Sequence, residues 1–123
     1  MKKILIADDA AESIIIMKLL LRHFPVQIIE AQDGNEAWEK IGKYQPDLSF
    51  LDIHMPFKDG LNILRDLKEQ GNTMPVAITS NNREQFIIDS CINLGALSYL
   101  KKPFGLRELN RVLQVLGLSA KIY

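Results

Sequence analysis

Cysteine is all but missing from this chain. Cys91 is the only one, so no internal disulfide can form and a reducing compartment fits. Long apolar stretches are missing too: no run approaches the ~20 residues that span a membrane. The opening segment, Met1 to Ala7, turns acidic at Asp8, far too early for a secretory leader. Neither sign of charge is in excess, since 15 Lys and Arg face 15 Asp and Glu. The basic footprint of a nucleic-acid binder is therefore lacking. No repeat, linker or low-complexity segment interrupts the chain. These absences lead to the expectation of a soluble, cytoplasmic protein that touches neither nucleic acid nor membrane directly.

What is present is enough apolar material for a core, 47% of 123 residues, in a chain the length of one compact domain. Residues 1–123 are accordingly read as a single domain. Short apolar runs alternate with longer amphipathic ones. Ile4 to Ala7, Val26 to Ala31, Leu48 to Leu51, Val76 to Thr79 and Leu97 to Leu100 read as strands. Ala10 to His23, Asn35 to Tyr44, Leu61 to Gln70, Arg83 to Leu94 and Gly105 to Leu116 read as helices, with Phe24-Pro25, Asp33-Gly34 and Asp59-Gly60 as stops and turns. Inward stripes are expected from Ala37 and Ile41, from Leu61, Leu64 and Leu67, and from Leu106, Leu109, Leu113 and Leu116. Strands that read as unbroken apolar runs are buried on both faces, which predicts a parallel α/β sheet with helices on each side.

The first helix gives little direction, because Ile14 to Leu21 is apolar nearly all round. The expected inward stripe is Ile16, Met17 and Leu20, with Ser13 beside it. Ile15 and Leu19 form an i, i+4 pair pointing elsewhere, either as an exposed docking pair or as part of a broader buried face.

Polar residues gather where the strands end. Asp8 and Asp9 follow the first strand, Asp52 the third, Ser80 the fourth and Lys101-Lys102-Pro103 the fifth. In a parallel sheet these ends share one edge, where ligands bind near the topological switch point. Three carboxylates would thus meet a hydroxyl and an ammonium. A carboxylate pair ~4 Å apart costs on the order of 4 kcal/mol at an effective dielectric near 20, more than one lysine can offset for every pairing. A divalent cation would offset it. Oxygen-only ligands suit Mg²⁺, which keeps waters and shares phosphate oxygens. Asp52 would then be placed as a nucleophile toward phosphorus, with Lys102 and Ser80 stabilising the transferring group.

Taken together, Ile4-Leu5-Ile6-Ala7-Asp8-Asp9, Asp52-Ile53-His54-Met55-Pro56 with Asp59-Gly60, Pro75 to Ser80, and Tyr99-Leu100-Lys101-Lys102-Pro103-Phe104 resemble a receiver domain of a two-component response regulator, similar to the single-domain chemotaxis type. The resemblance covers essentially the whole chain. It implies a flavodoxin-like, doubly wound (βα)₅ fold with a five-stranded parallel sheet in order 2-1-3-4-5, flanked by five helices. It implies that Asp52 accepts a phosphoryl group from the phosphohistidine of a histidine kinase or phosphotransfer protein. Asp9 and Asp52 would bind Mg²⁺ directly, joined by the backbone carbonyl of His54, with Asp8 assisting through water or weakly. Lys102 would contact the phosphoryl group, Ser80 would be the switch hydroxyl and Tyr99 the switch aromatic, and the Lys102-Pro103 bond would be cis. Signalling would pass through the helix 4, strand 5 and helix 5 face to a downstream protein. The chain would catalyse only its own phosphorylation and dephosphorylation.

Thr79 competes with Ser80 as the switch hydroxyl, since strand alternation sends the two to opposite faces; spacing from Pro75 and from Lys102 favours Ser80. Asn81 stands where the family usually has a small residue. Together with His54 and Asn82 it forms a rim expected to tune dephosphorylation. Three other functions fit the residues less well. A Mg²⁺-dependent aspartyl phosphatase of the haloacid dehalogenase class would need a second aspartate two positions after Asp52, where His54 stands. A flavodoxin-like cofactor binder would need a Gly/Ser/Thr-rich loop where Asp8-Asp9 stands. A receiver that signals without phosphate fits poorly with an intact Asp9, Asp52 and Lys102.

Overall fold

The computed structural model describes residues 1–121. Five strands and five helices alternate: β1 (Lys2–Ala7), α1 (Ala11–Leu21), β2 (Val26–Ala31), α2 (Gly34–Tyr44), β3 (Leu48–Asp52), α3 (Gly60–Glu69), β4 (Val76–Ser80), α4 (Gln85–Asn93), β5 (Ser98–Lys101) and α5 (Leu106–Leu113), followed by a 3₁₀ turn at Gln114–Leu116. All strand pairs are parallel and the order is β2-β1-β3-β4-β5, as expected. β3 and β4 are buried at every position, which is why their sequences show no alternation. Each runs one residue further than its apolar stretch, so Asp52 and Ser80 are the last strand residues themselves. Among the described residues no helix is long and apolar enough to cross a membrane.

Alternation along the strands splits the core into two layers. Leu5, Ala7, Leu51, Val76 and Ile78 face Ile41, Ile63, Leu67 and Cys91 of α2, α3 and α4. Ile4, Ile6, Phe50 and Ala77 face Ile14, Met17, Leu21, Leu109 and Leu113 of α1 and α5. Asp33 and Asp59 cap α2 and α3, each carboxylate accepting from the backbone N–H three residues on, Glu36 and Asn62 at 2.8 Å, a contribution of about 1 kcal/mol each.

The inward stripe of α1 differs from the expected one. Ile14, Met17 and Leu21 are buried, Leu20 is half-buried, and Ile16 is 54% exposed beside Ile15 and Leu19 at 58% and 52%. With apolar residues on every side, composition set no preferred face. The packing against β1 and β2 set it instead, so the broader buried face is not formed. On α5, Val112 joins Leu109 and Leu113 inside, while Leu106 and Leu116 are half-buried, because the α-helix ends at Leu113 and tightens into the 3₁₀ turn. On α3, Ile63 is buried with Leu64 and Leu67, and Leu61 is half-buried.

Candidate functional site: an acidic cleft at the carboxyl edge of the sheet

The order in which strands are added reverses between β1 and β3, so the loops after these two strands diverge to opposite faces and leave a crevice at their carboxyl ends. Register makes the ends level: Ala7 pairs with Leu51, Asp52 with Thr79, and Ser80 with Lys101. A cavity of about 480 Å³ opens there. Asp8, Asp9, Asp52, His54 and Lys102 line its polar side, with Thr79 and Asn81 beside them, and Ile16, Met17 and Phe104 form an apolar wall toward α1.

Asp8 and Asp52 are buried and Asp9 is exposed. Their carboxylate oxygens come within 4.8 Å of one another. Lys102 Nζ donates to Asp8 Oδ2 at 2.7 Å and to Asp52 Oδ2 at 2.9 Å. The other oxygens are also bound: Asp8 Oδ1 accepts from the Ala10 N–H at 2.9 Å and Asp52 Oδ1 from the His54 N–H at 3.0 Å. Burial raises the Asp52 carboxyl above the ordinary range; the Lys102 bond and charge pull it back, the Asp8 charge adds to the rise, and the His54 N–H opposes it. Burial alone would lower the Lys102 ammonium, but its bonds to Asp8 and Asp52 outweigh that and hold it above its usual value. Lys102 is therefore a fixed cation between two buried anions.

One ammonium against three carboxylates leaves net negative charge in a cleft built from hard oxygen donors. That donor set fits a divalent cation of the Mg²⁺ kind and does not fit an anionic cofactor. Lys102 and the turn at Ala10 hold Asp8 in the site.

Ser80 and Tyr99 lie beside this cleft and not in its lining. Thr79 lines the cavity, on the same strand face as Ala77, whereas Ser80 is 1% exposed on the opposite face. Ser80 Oγ accepts from the Asn82 N–H at 3.0 Å, and Tyr99 Oη donates to the Asn82 carbonyl at 2.6 Å. A single peptide segment at Asn82 thus joins both residues. The family resemblance brought out the pair but not this link, which runs through backbone atoms. The Lys102-Pro103 bond is cis, as the resemblance implied. Sequence reading also gave no role to Lys58. In the structure its ammonium sits 4.4 Å above the Trp38 ring and pairs with Asp66, at the base of the loop that carries His54.

Comparison with known proteins agrees with this geometry. The family model for the response regulator receiver domain matches residues 4–114. The chain is 34% identical to the alkaline phosphatase synthesis transcriptional regulatory protein PhoP of Bacillus subtilis, over 96% of this chain and 50% of that protein. It is 33% identical to the chemotaxis protein CheY of Listeria monocytogenes, over 98% of this chain and 100% of that protein. It thus spans about half of the first relative and the whole length of the second. Among solved structures, the receiver domain of the Francisella response regulator 1452 superposes with a TM-score of 0.87 at 29% identity, covering 94% of this chain and 96% of that one. Nothing in these matches supports a phosphatase or a phosphate-independent reading. Two buried carboxylates bridged by one lysine at the sheet edge, and these matches over nearly the full chain, lead to one conclusion: the chain belongs to the response regulator receiver domain family, the phospho-accepting modules of two-component signalling.

Proposed function

We propose that Asp52 is the phosphoacceptor and that residues 1–123 act as one receiver domain, in the cytoplasm, served by a histidine kinase or histidine phosphotransfer protein. The observation that carries this reading is the Lys102 ammonium held between the buried Asp8 and Asp52 carboxylates in an otherwise acidic cleft. An Asp52 oxygen attacks phosphorus as the P–N bond to the donor imidazole breaks. The electron pair of that bond returns to the imidazole, which leaves as the neutral ring after taking up a proton. Lys102 is already directed at the Asp52 oxygen and follows the charge onto the phosphoryl oxygens. Asp9, Asp52 and the His54 carbonyl would hold Mg²⁺, with Asp8 assisting, and the ion when bound would supply charge neutralisation for the transferring group and the carboxylates. Hydrolysis, water attacking the same phosphorus, returns Asp52 and inorganic phosphate. His54, Asn81 and Asn82 stand at the rim of that approach and set its rate.

The switch follows from the Asn82 link. Drawing the Ser80 hydroxyl toward the phosphoryl group removes the acceptor from the Asn82 N–H and loosens the segment that also holds Tyr99. Tyr99 then turns inward, and the α4–β5–α5 face changes for a downstream protein. This is a population shift between two states, biased by a local charge. The donor helix docks on Ile15, Ile16 and Leu19 of α1, apolar side chains exposed next to the cleft.

Phosphotransfer from a phosphohistidine donor tests the assignment. Label should pass to wild type and not to Asp52→Asn; transfer to the Asn variant at the wild-type rate would refute it. Ser80→Ala should still be labelled but lose the change at the α4–β5–α5 face that beryllofluoride induces, whereas Thr79→Ala should keep it. The reverse pattern would make Thr79 the switch hydroxyl.

A further inference from the structure

The loop from Ile53 to Asp59 is held from outside the cleft. Gly34 N–H, at the start of α2, donates to the Pro56 carbonyl at 3.1 Å, and Lys58 N–H donates to the same oxygen at 2.8 Å. The Lys58 carbonyl fills the space where a Cβ on residue 34 would lie. At the loop's far end the Gly60 N–H donates to the Ile53 carbonyl at 3.0 Å. The Lys58 side chain turns back over α2 and α3: its ammonium lies 4.4 Å above the Trp38 ring and pairs with the Asp66 carboxylate. Beside it, Phe57 takes φ 72°, a left-handed conformation disfavoured for a bulky residue, while its ring is 82% exposed. The Phe57 ring is too exposed for its packing to hold that conformation; neighbouring contacts must.

We infer that Lys58, clasped between Trp38 and Asp66, is a positioning residue for the acidic cleft. It fixes the loop whose His54 segment faces Asp52, and so sets the affinity for a divalent cation. This rests on the proposed reading that His54 supplies a backbone carbonyl to that ion. The three clasp residues come from α2, the β3–α3 loop and α3, and none of them lines the cleft. The ring, the carboxylate and the loop backbone together fix an ammonium that a surface ion pair alone would not.

Charge and position predict opposite effects, which makes the inference testable. Removing a cation near an acidic cleft by electrostatics alone would strengthen Mg²⁺ binding. Loss of the clasp would weaken it, because supporting contacts typically change metal affinity on the order of tenfold. The experiment is calorimetric titration of the full chain with Mg²⁺ alone, for wild type, Lys58→Met, Lys58→Arg and Asp66→Asn. Lys58→Met keeps the apolar stem over Trp38 and should bind Mg²⁺ about tenfold more weakly. Lys58→Arg should restore wild-type affinity, and Asp66→Asn, which leaves the ring contact, should show a smaller loss. Lys58→Met binding as tightly as wild type, or more tightly, overturns the inference while leaving the site reading intact. Wild type failing to bind Mg²⁺ overturns the site reading and the inference with it.

Discussion

At the residue scale, Asp52, the proposed phosphoacceptor, is also a liability to the fold. Its carboxyl is raised chiefly by burial, with Lys102 only partly restoring the ionised form. The protonated form is therefore favoured by folding. That contribution is complete below the unfolded carboxylate value of ~3.9 and disappears as pH rises through the higher folded value. Once ionised, Asp52 is a buried charge that Asp52→Asn lacks, while Lys102 keeps its bond to Asp8. Asp52→Asn should melt ~2–4 °C higher at pH 7, and the gap should narrow as pH falls toward 4. Thermal melts across that range check it; a gap that widens on acidification would show the opposite sign of linkage. Gly34 makes a different demand. A Cβ there would overlap the Lys58 carbonyl, and backbone must move to relieve it. Gly34→Ala should cost about 1–3 kcal/mol in urea unfolding, where Gly42→Ala, with open space around it, should be neutral or stabilising.

At the element scale, α1 carries the partner question. Its sequence left Ile15 and Leu19 undecided between a buried face and a docking pair; the fold exposes both and adds Ile16. Replacing Ile15 and Leu19 by serine should leave stability within about 0.5 kcal/mol and leave acetyl phosphate labelling intact, while phosphotransfer from a protein donor slows at least tenfold. An unchanged transfer rate would remove α1 from the docking surface. The helix also shows why some elements were legible and others only partly. β3 and β4 announced themselves as short continuous apolar runs, and α2 and α3 followed Asp-Gly turn signals, whose aspartates prove to be the helix caps. α1 had no polar face to orient it, so its stripe was misplaced by about a quarter turn. α5 ended early because its last turn tightens at Gln114–Leu116, a detail of backbone geometry that apolar spacing does not record.

At the scale of the whole molecule, the site was legible because the topology is. Once five strands are parallel, residues at their carboxyl ends must meet, and Asp8, Asp9, Asp52 and Lys102 do. Hidden from the sequence were contacts running through backbone atoms or across several elements. The Asn82 segment joining Ser80 to Tyr99 is one, and the Lys58 clasp with Trp38 and Asp66 is the other. Neither has a periodicity or a spacing that marks it. Both lie beside the cleft and not within it, at β5 and the segment before α4 and at the β3–α3 loop. The account stands or falls on Asp52. Intact mass after incubation with acetyl phosphate, with and without Mg²⁺, for wild type and Asp52→Ala, tests it most directly. The account predicts a single phosphoryl adduct on wild type that requires Mg²⁺ and is absent from Asp52→Ala; an adduct of equal extent on the alanine variant would contradict it.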